Sequence, residues 1–218
     1  MQVIDLTYPL TPDMPVYPGT PAPEIRTIAT FEKDGFRERQ LTLCSHTGTH
    51  MDAPAHLLPR GKTLDQFPPD GFMGNGLCID TTAAGPGRIE WEFLHTFEKD
   101  FAISDFVLLR TGWGRHWGTP DYDQGYPSLS PDAAEHLTAF DLKGIGMDTL
   151  SVDAADTTEF PVHHILLGND LLVIENLAHL DRLPTGRFGQ LCCLPLHLTG
   201  SDGAPTRVMA ITSSGKRI

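Results

Sequence analysis

"HTGTHMDAPAH", residues 46–56, sets three histidines and an aspartate among glycine and proline. Whether this stretch is helix or strand decides what kind of fold can carry it. His46 and His50 stand four apart, the spacing of two ligands on one helical face. Between them, however, Thr47, Gly48 and Thr49 are poor helix formers, and Pro54 breaks the next turn. In an extended segment His46, His50, Asp52 and His56 all share one face, because side chains alternate with period two. A straight strand would hold His46 and Asp52 about 20 Å apart at ~3.3 Å per residue. A metal ion needs its ligand atoms within ~2.0–2.2 Å of itself. The stretch is therefore expected to be a loop and short strand, bent at Thr47-Gly48.

The rest of the chain agrees with a strand-rich fold. "QVIDLTYPL" reads as an opening strand followed by a proline-rich loop, and "EIRTIATF" and "RERQLTLCS" alternate as half-buried strands do. "GLCIDTT", "FVLLR" and "GIGMDTLSV" read as short buried strands. "SPDAAEHLTAF" opens with a helix-start signal, and "PVHHILLGN" reads as a short helix closed by Gly168 and Asn169. "LLVIENL" is extended, and "CLPLHLTGSDGAPTRVMAI" is a hairpin whose turn is "GSDGAP". No regular βαβ rhythm, internal repeat or linker is visible. One mixed α/β domain over 1–218, with a mixed sheet or barrel and interspersed helices, is expected.

The formal charge of −12 and the lack of a basic patch exclude nucleic acid or an anionic membrane as natural partners. GxGxxG and P-loop patterns are absent, so nothing supports a nucleotide cofactor. The N-terminus carries an early Asp5 and no basic stretch, and no apolar run is long enough to span a bilayer. A cytoplasmic location is expected. Cys44, Cys78, Cys192 and Cys193 form no disulfide framework and read as buried thiols.

Two imidazoles and a carboxylate, His46, His50 and Asp52, suit Zn²⁺, and also Mn²⁺ or Fe²⁺. His56, beyond Pro54, is either another ligand or a nearby acid–base group, and proline favours an extended approach for it. Residues 110–127, rich in glycine and aromatics, are either a flap over a substrate or an exposed loop with a few anchoring tryptophans. Asp148, Ser151 and Asp153 lack a nucleophile elbow and read as strand-end residues that cap neighbouring backbone. Arg207 reads as a structural ion-pair partner.

The pattern H-x-G-T-H-x-D-x-P-x-H resembles the defining motif of the cyclase-like metal hydrolases, the family of bacterial kynurenine formamidase and isatin hydrolase. The likeness extends along the chain through "DLTYPLTPDMPVYPG", "FPVHHILLGNDLLVIENL" and "LPLHLTGSDGAPTRVMA". The resemblance implies that His46, His50 and Asp52 form a first ligand group, with Asp52 able to bridge two metals. It implies His163, rather than His164, as a second-metal histidine and Glu175 as a bridging carboxylate. It makes His56 the proton donor and acceptor, and places Tyr17 where formamidases tend to have a tryptophan against the substrate.

The activity expected is that of a hydrolase opening an amide-type C–N bond with one or two divalent ions, zinc first and manganese as alternative. By resemblance the substrate is a small aromatic formamide such as N-formylkynurenine, with a cyclic amide or lactone as runner-up, and the assembly is a homodimer or homotetramer. The competing class is a metal-dependent binding module without turnover, which would have no need of His56.

Overall fold

The computed structural model describes residues 1–85 and 87–212, so residues 86 and 213–218 of the expected 1–218 domain lie outside the described residues. Its strands are β1 Gln2–Asp5, β2 Glu24–Ala29, β3 Glu38–Thr42, β4 His50–Asp52, β5 Met73–Asp80 and β6 Arg88–Ile89. They continue with β7 Phe106–Arg110, β8 Ser128–Leu129, β9 Gly144–Met147, β10 Leu172–Glu175, β11 Gly186–Pro195 and β12 Gly203–Thr212. The α-helices are α1 Phe31–Asp34, α2 Trp91–Leu94, α3 Glu98–Phe101, α4 Pro131–Leu137 and α5 Pro161–Gly168.

Seven of these strands close a ring in the order β12-β11-β5-β7-β9-β10-β4, with β4 pairing back onto β12. β5, β7, β9 and β10 run parallel, while β11, β12 and β4 complete the circle antiparallel. β12 is long enough to serve twice along one edge. Its start pairs with β4 (Gly203↔Asp52), and its end pairs with β1 (Thr212↔Gln2). Closure leaves the ring without an open edge. The expected strand-rich mixed α/β barrel is what the chain forms.

The parallel strands read as continuous apolar runs because both of their faces are covered. Phe106 and Leu108 of β7, Ile174 of β10 and Val208 and Ala210 of β12 join an interior cluster. Val107 and Leu109, Ile145 and Met147, and Val173 point the other way and pack beneath Leu137 of α4 and Val162 and Leu166 of α5. The crossovers between these strands do carry helices, so a βαβ arrangement is present where the sequence showed none. The reason is local: α2 and α3 have four residues each, with a 3₁₀ turn His95–Phe97 between them. No apolar period of 3.6 runs long enough to be read.

β2 and β3 pair only with each other, and α1 lies between them. The half-buried alternation expected of them is not met within the chain: Ile28, Leu41, Phe31 and Phe36 are all exposed. Among the described residues, nothing covers these four side chains. The expected strand-end roles hold, since Asp148 accepts from the backbone N–H of Thr111 at 2.8 Å and of Gly112 at 2.9 Å. Arg207 pairs with Asp5 at 2.6 Å. All four cysteines are free; three are buried and Cys44 is half-buried.

Residues 110–127 are a loop with an exposed stretch at 118–121, anchored by its aromatics. Trp113 Nε1 donates to the Tyr122 carbonyl at 2.9 Å, and Trp117 stacks on Tyr8 with ring centroids 3.9 Å apart. Tyr122 and Tyr126 are buried with Leu150 in a small cluster against which Tyr17 packs. The Tyr122 hydroxyl donates to Asn176 Oδ1 at 2.7 Å, and Asn176 Nδ2 donates to the Gly48 carbonyl at 3.0 Å. This chain of bonds ties the segment to the bend in residues 46–52. Tyr122→Phe leaves the buried Asn176 oxygen without its donor and is expected to lower unfolding stability by about 1–3 kcal/mol. Denaturant titration with an unchanged m-value checks this, and an unaltered midpoint contradicts it.

Candidate metal centre

Gly48 makes the expected bend, with φ at +67°. A Cβ there would lie 2.6 Å from Met14 Cε, so both backbone and space call for glycine. The chain then enters β4, only three residues long, between β10 and β12. Met51 turns into the barrel interior, which sends His50 and Asp52 to the outer face. β10 does the same. Ile174 points inward, and Glu175, opposite His50 in the register, lies on the outer face with Val173. Helix α5 covers that face and presents His163 from its third residue. His163 is buried whereas His164, one position on, is exposed, which supports the choice between them.

The outcome is two buried carboxylates set between two imidazoles. His50 Nε2 lies 3.3 Å from Asp52 Oδ1 and 3.4 Å from Glu175 Oε2. His163 Nε2 lies 3.5 Å from Asp52 Oδ2 and 3.2 Å from Glu175 Oε1. Each carboxylate thus offers one oxygen to each histidine. His46 joins the His50 side, its Nδ1 2.6 Å from Asp52 Oδ1. Donor atoms of His46, His50 and Asp52 lie within 4.8 Å of one another, and so do those of Asp52, His163 and Glu175.

Two features show that this donor set fits a divalent ion. His50 Nδ1 faces the Gly48 carbonyl at 2.8 Å, and His163 Nδ1 faces Asp153 Oδ2 at 2.7 Å. With the ring proton on Nδ1, each Nε2 aims a lone pair at two carboxylate oxygens, an arrangement that calls for a cation between them. The separations of 3.2–3.5 Å exceed the ~2.7–2.9 Å of a charge-assisted hydrogen bond. They match the ~3.4 Å edge of a tetrahedron whose ligands stand ~2.1 Å from its centre. Among the described residues, every ion pair of Asp52 and Glu175 is with a histidine.

The electrostatics follow the same division. Burial pushes the Asp52 carboxyl up, but His50 and His46 outweigh it and hold the group well below the usual range. Burial and Asp52 raise Glu175, and His163 and His50 more than reverse this. Burial depresses His50, yet Asp52 and Glu175 lift it to about 10. His163, depressed by burial, is carried well above its ordinary value by Asp153, Asp52 and Glu175. His56 goes the other way: burial lowers it, and nearby His46 and His163 add to that.

His56 arrives by a route the sequence did not suggest. Ala53 is extended, but Pro54–His56 is a 3₁₀ turn with proline at its first position, so the chain curls back instead of running straight. Its ring lies 3.9 Å from that of His46 and 6.0 Å from that of His163, centroid to centroid. Above the centre opens a cavity of about 210 Å³, lined by His56 and walled by Tyr17, Leu57, Leu150 and Phe160. Phe160 has φ at +48°, a strained conformation for a bulky residue. Its ring meets His163 edge-on at 6.2 Å and tilts against Tyr17 at 6.5 Å.

Three residues with a part in this site escaped sequence reading. Asp153 does cap backbone, accepting from the N–H of Val162 at 2.8 Å and of His163 at 3.0 Å, but it also holds the His163 ring. Asp202, read as turn chemistry, has its Oδ2 2.9 Å from His46 Nε2. Phe160 left no signal, because a strained aromatic before a proline looks like any loop residue.

Residues 4–154 match the family described as putative cyclase. The chain is 33% identical over 214 residues to a kynurenine formamidase of Salinibacter ruber, covering 96% of this chain and 97% of that protein. It is 32% identical to a kynurenine formamidase of Paracidovorax citrulli, over 95% of each. Among solved structures, an isatin hydrolase bound to the product analogue thioisatinate superposes with a TM-score of 0.87 at 25% identity, covering 97% of this chain and 93% of that one. A potential metal-dependent hydrolase with cyclase activity superposes with a TM-score of 0.82 at 28% identity, covering 98% and 99%.

Asp153→Ala removes the acceptor of two buried N–H groups and of the His163 ring. It is expected to lower stability by about 1–3 kcal/mol and zinc affinity by roughly 10–100-fold. Thermal unfolding and chelator competition check the two effects separately, and an unchanged zinc affinity would remove Asp153 from the site.

Proposed function

We propose, on the footing that this chain belongs to the putative cyclase family, that it is a metal-dependent hydrolase of an aromatic formamide. N-formylkynurenine is the substrate of choice, released as the free amine and formate. The observation that carries this reading is the pair of carboxylates shared between His50 and His163 at 3.2–3.5 Å, beneath an aromatic-walled cavity. His46, His50, Asp52, His163 and Glu175 would hold one or two divalent ions, with Asp52 and Glu175 each reaching both sides. Zinc is the preferred ion for this mixture of imidazole and carboxylate, and manganese the alternative. Such an ion supplies Lewis acidity, which lowers the pKa of water and polarises a carbonyl.

The chain's own residues divide the remaining work. Tyr17, Phe160, Leu57 and Leu150 hold an aryl ring and keep bulk water from it. His56 is in neither group built on Asp52, though it gathers with His46 and Asp202 in a third; it lines the cavity, and burial lowers its pKa. An imidazole so placed accepts a proton from water and returns it to the departing amine nitrogen. A cyclic amide opened by the same chemistry is the second reading, favoured by the superposition on isatin hydrolase.

A homodimer or homotetramer is part of the proposal, because the β2–β3 hairpin leaves Ile28, Phe31, Phe36 and Leu41 exposed among the described residues. So is a cytoplasmic location, in keeping with four free cysteines. No helix among the described residues is long and apolar enough to cross a membrane.

Chelation is expected to abolish deformylation, and added zinc or manganese to restore it. Full activity in a metal-free sample contradicts the reading. Asp52→Ala is expected to carry far less metal than the parent by elemental analysis, and full occupancy would remove it from the ligand set. His56→Ala should keep its metal while kcat falls roughly 10²–10⁴-fold. Metal lost in step with activity would make His56 a ligand, and an unchanged kcat would make it a bystander. Comparison of kcat/KM on N-formylkynurenine and isatin decides between the two substrates.

A further inference from the structure

We infer that Asp202, in the loop between β11 and β12, is a positioning residue that couples the ligand His46 to the proton-transfer histidine His56. The inference rests on the roles proposed above for those two histidines. One carboxylate oxygen, Oδ2, lies 2.9 Å from His46 Nε2 and 3.6 Å from His56 Nδ1. The two rings that it faces lie 3.9 Å apart and are inclined by 38°. A single oxygen therefore sits at the point where both imidazoles present a nitrogen.

The loop that carries Asp202 is held in register with the 46–56 segment by backbone. Ala53 N–H donates to the Asp202 carbonyl at 2.8 Å, and Leu64 N–H donates to the Ser201 carbonyl at 2.9 Å. Gly203 pairs with Asp52 across β12 and β4. A Cβ on Gly203 would stand 2.5 Å from His46 Cε1, so the absence of a side chain there is what lets the ring lie against the strand.

The site gains two things from this placement. By holding His46 through Nε2, Asp202 fixes the orientation of the ring that keeps Nδ1 turned toward Asp52. The same oxygen is the acceptor available to the Nδ1–H of His56, which leaves the other ring nitrogen free for proton transfer. This is the part played by the third residue in acid–base triads. The His56 contact is long for a hydrogen bond here, as such contacts often are before substrate closes the site. In the proposal Asp202 acts through the two rings, which are the groups its Oδ2 faces.

The test uses Asp202→Ala and Asp202→Asn, each alone and combined with His56→Ala, in the full-length chain loaded with zinc. Zinc affinity is read by chelator competition and zinc per chain by elemental analysis, neither of which needs a substrate. Asp202→Ala is expected to weaken zinc binding roughly 10–100-fold with no loss of zinc per chain at saturation. Asp202→Asn keeps an amide oxygen of the same reach and should recover most of that affinity, and it carries the test if the alanine variant fails to fold. At saturating zinc, each Asp202 variant should lower kcat with little change in KM in the parent background. In the His56→Ala background neither should lower it further, because the two residues act as one unit. Additive losses in kcat would overturn the coupling, and so would an unchanged zinc affinity in Asp202→Ala. Loss of one zinc per chain at saturation would overturn it too, since His46, His56 and Asp202 would then be a metal seat themselves. If no formamide is turned over, the proposed function fails, while the affinity arm still reads the link between Asp202 and His46.

Discussion

Two carboxylates, Asp52 and Glu175, lie buried side by side on the outer face of a closed sheet, 1% and 5% exposed. Buried charges of like sign repel, and a protein retains them only where opposite charge is brought to them. Here imidazoles surround them, and in the proposed function the opposite charge is that of a divalent ion. Much of the surrounding structure serves this constraint. His50 sits across the ladder from Glu175, α5 lowers His163 onto both groups, and the bend at Gly48 returns His46 to Asp52.

Closure of the barrel is what makes the arrangement rigid. β4 has three residues and would have no stability as a free strand, but it is bonded on one side to β10 and on the other to β12. The same pairing sets the alternation, so that Met51 goes to the core while His50 and Asp52 go to the site. A slip of one residue would reverse every one of these assignments. The interior cluster thus fixes the chemistry on the opposite face. Asn176, just past β10 and held at φ +56°, adds a second tie by bonding both the Gly48 carbonyl and Tyr122.

Order at the centre is matched by an apolar cavity above it. The 110–127 segment is drawn in by its own aromatics and packs behind Tyr17 and Leu150, which line the cavity. Phe160 closes another side at the cost of a strained backbone, immediately before the helix that carries His163. Strain of this kind persists where neighbouring contacts overdetermine the position, and it holds an aromatic surface beside the reacting groups. Glu175 and His56 therefore line a cavity walled in part by aromatic rings.

How much of this could be read beforehand depends on how local the cause was. Residues 46–56 state their own geometry. The glycine and threonines forbid a helix, the even spacing selects one face of a strand, and the excess of imidazole and carboxylate points to a metal. The buried strands, α4, α5 and the closing hairpin were legible for the same reason, since periodicity and turn residues act over a few positions. His163 and Glu175 were legible only through likeness to a family. Within the chain they look like a helix-start histidine and a strand-end acid, and only the β10–β4 register and the packing of α5 unite them with Asp52. The roles of Asp153, Asp202 and Phe160 belong wholly to tertiary structure. Each is set by what a distant segment places beside it, with 156 residues of chain separating Asp202 from His46. The sequence by itself determined the donor types and the local bend that presents them. Ring closure decided which carboxylates meet which imidazoles, because only the pairing of strands remote in the chain fixes the face, the register and the distance.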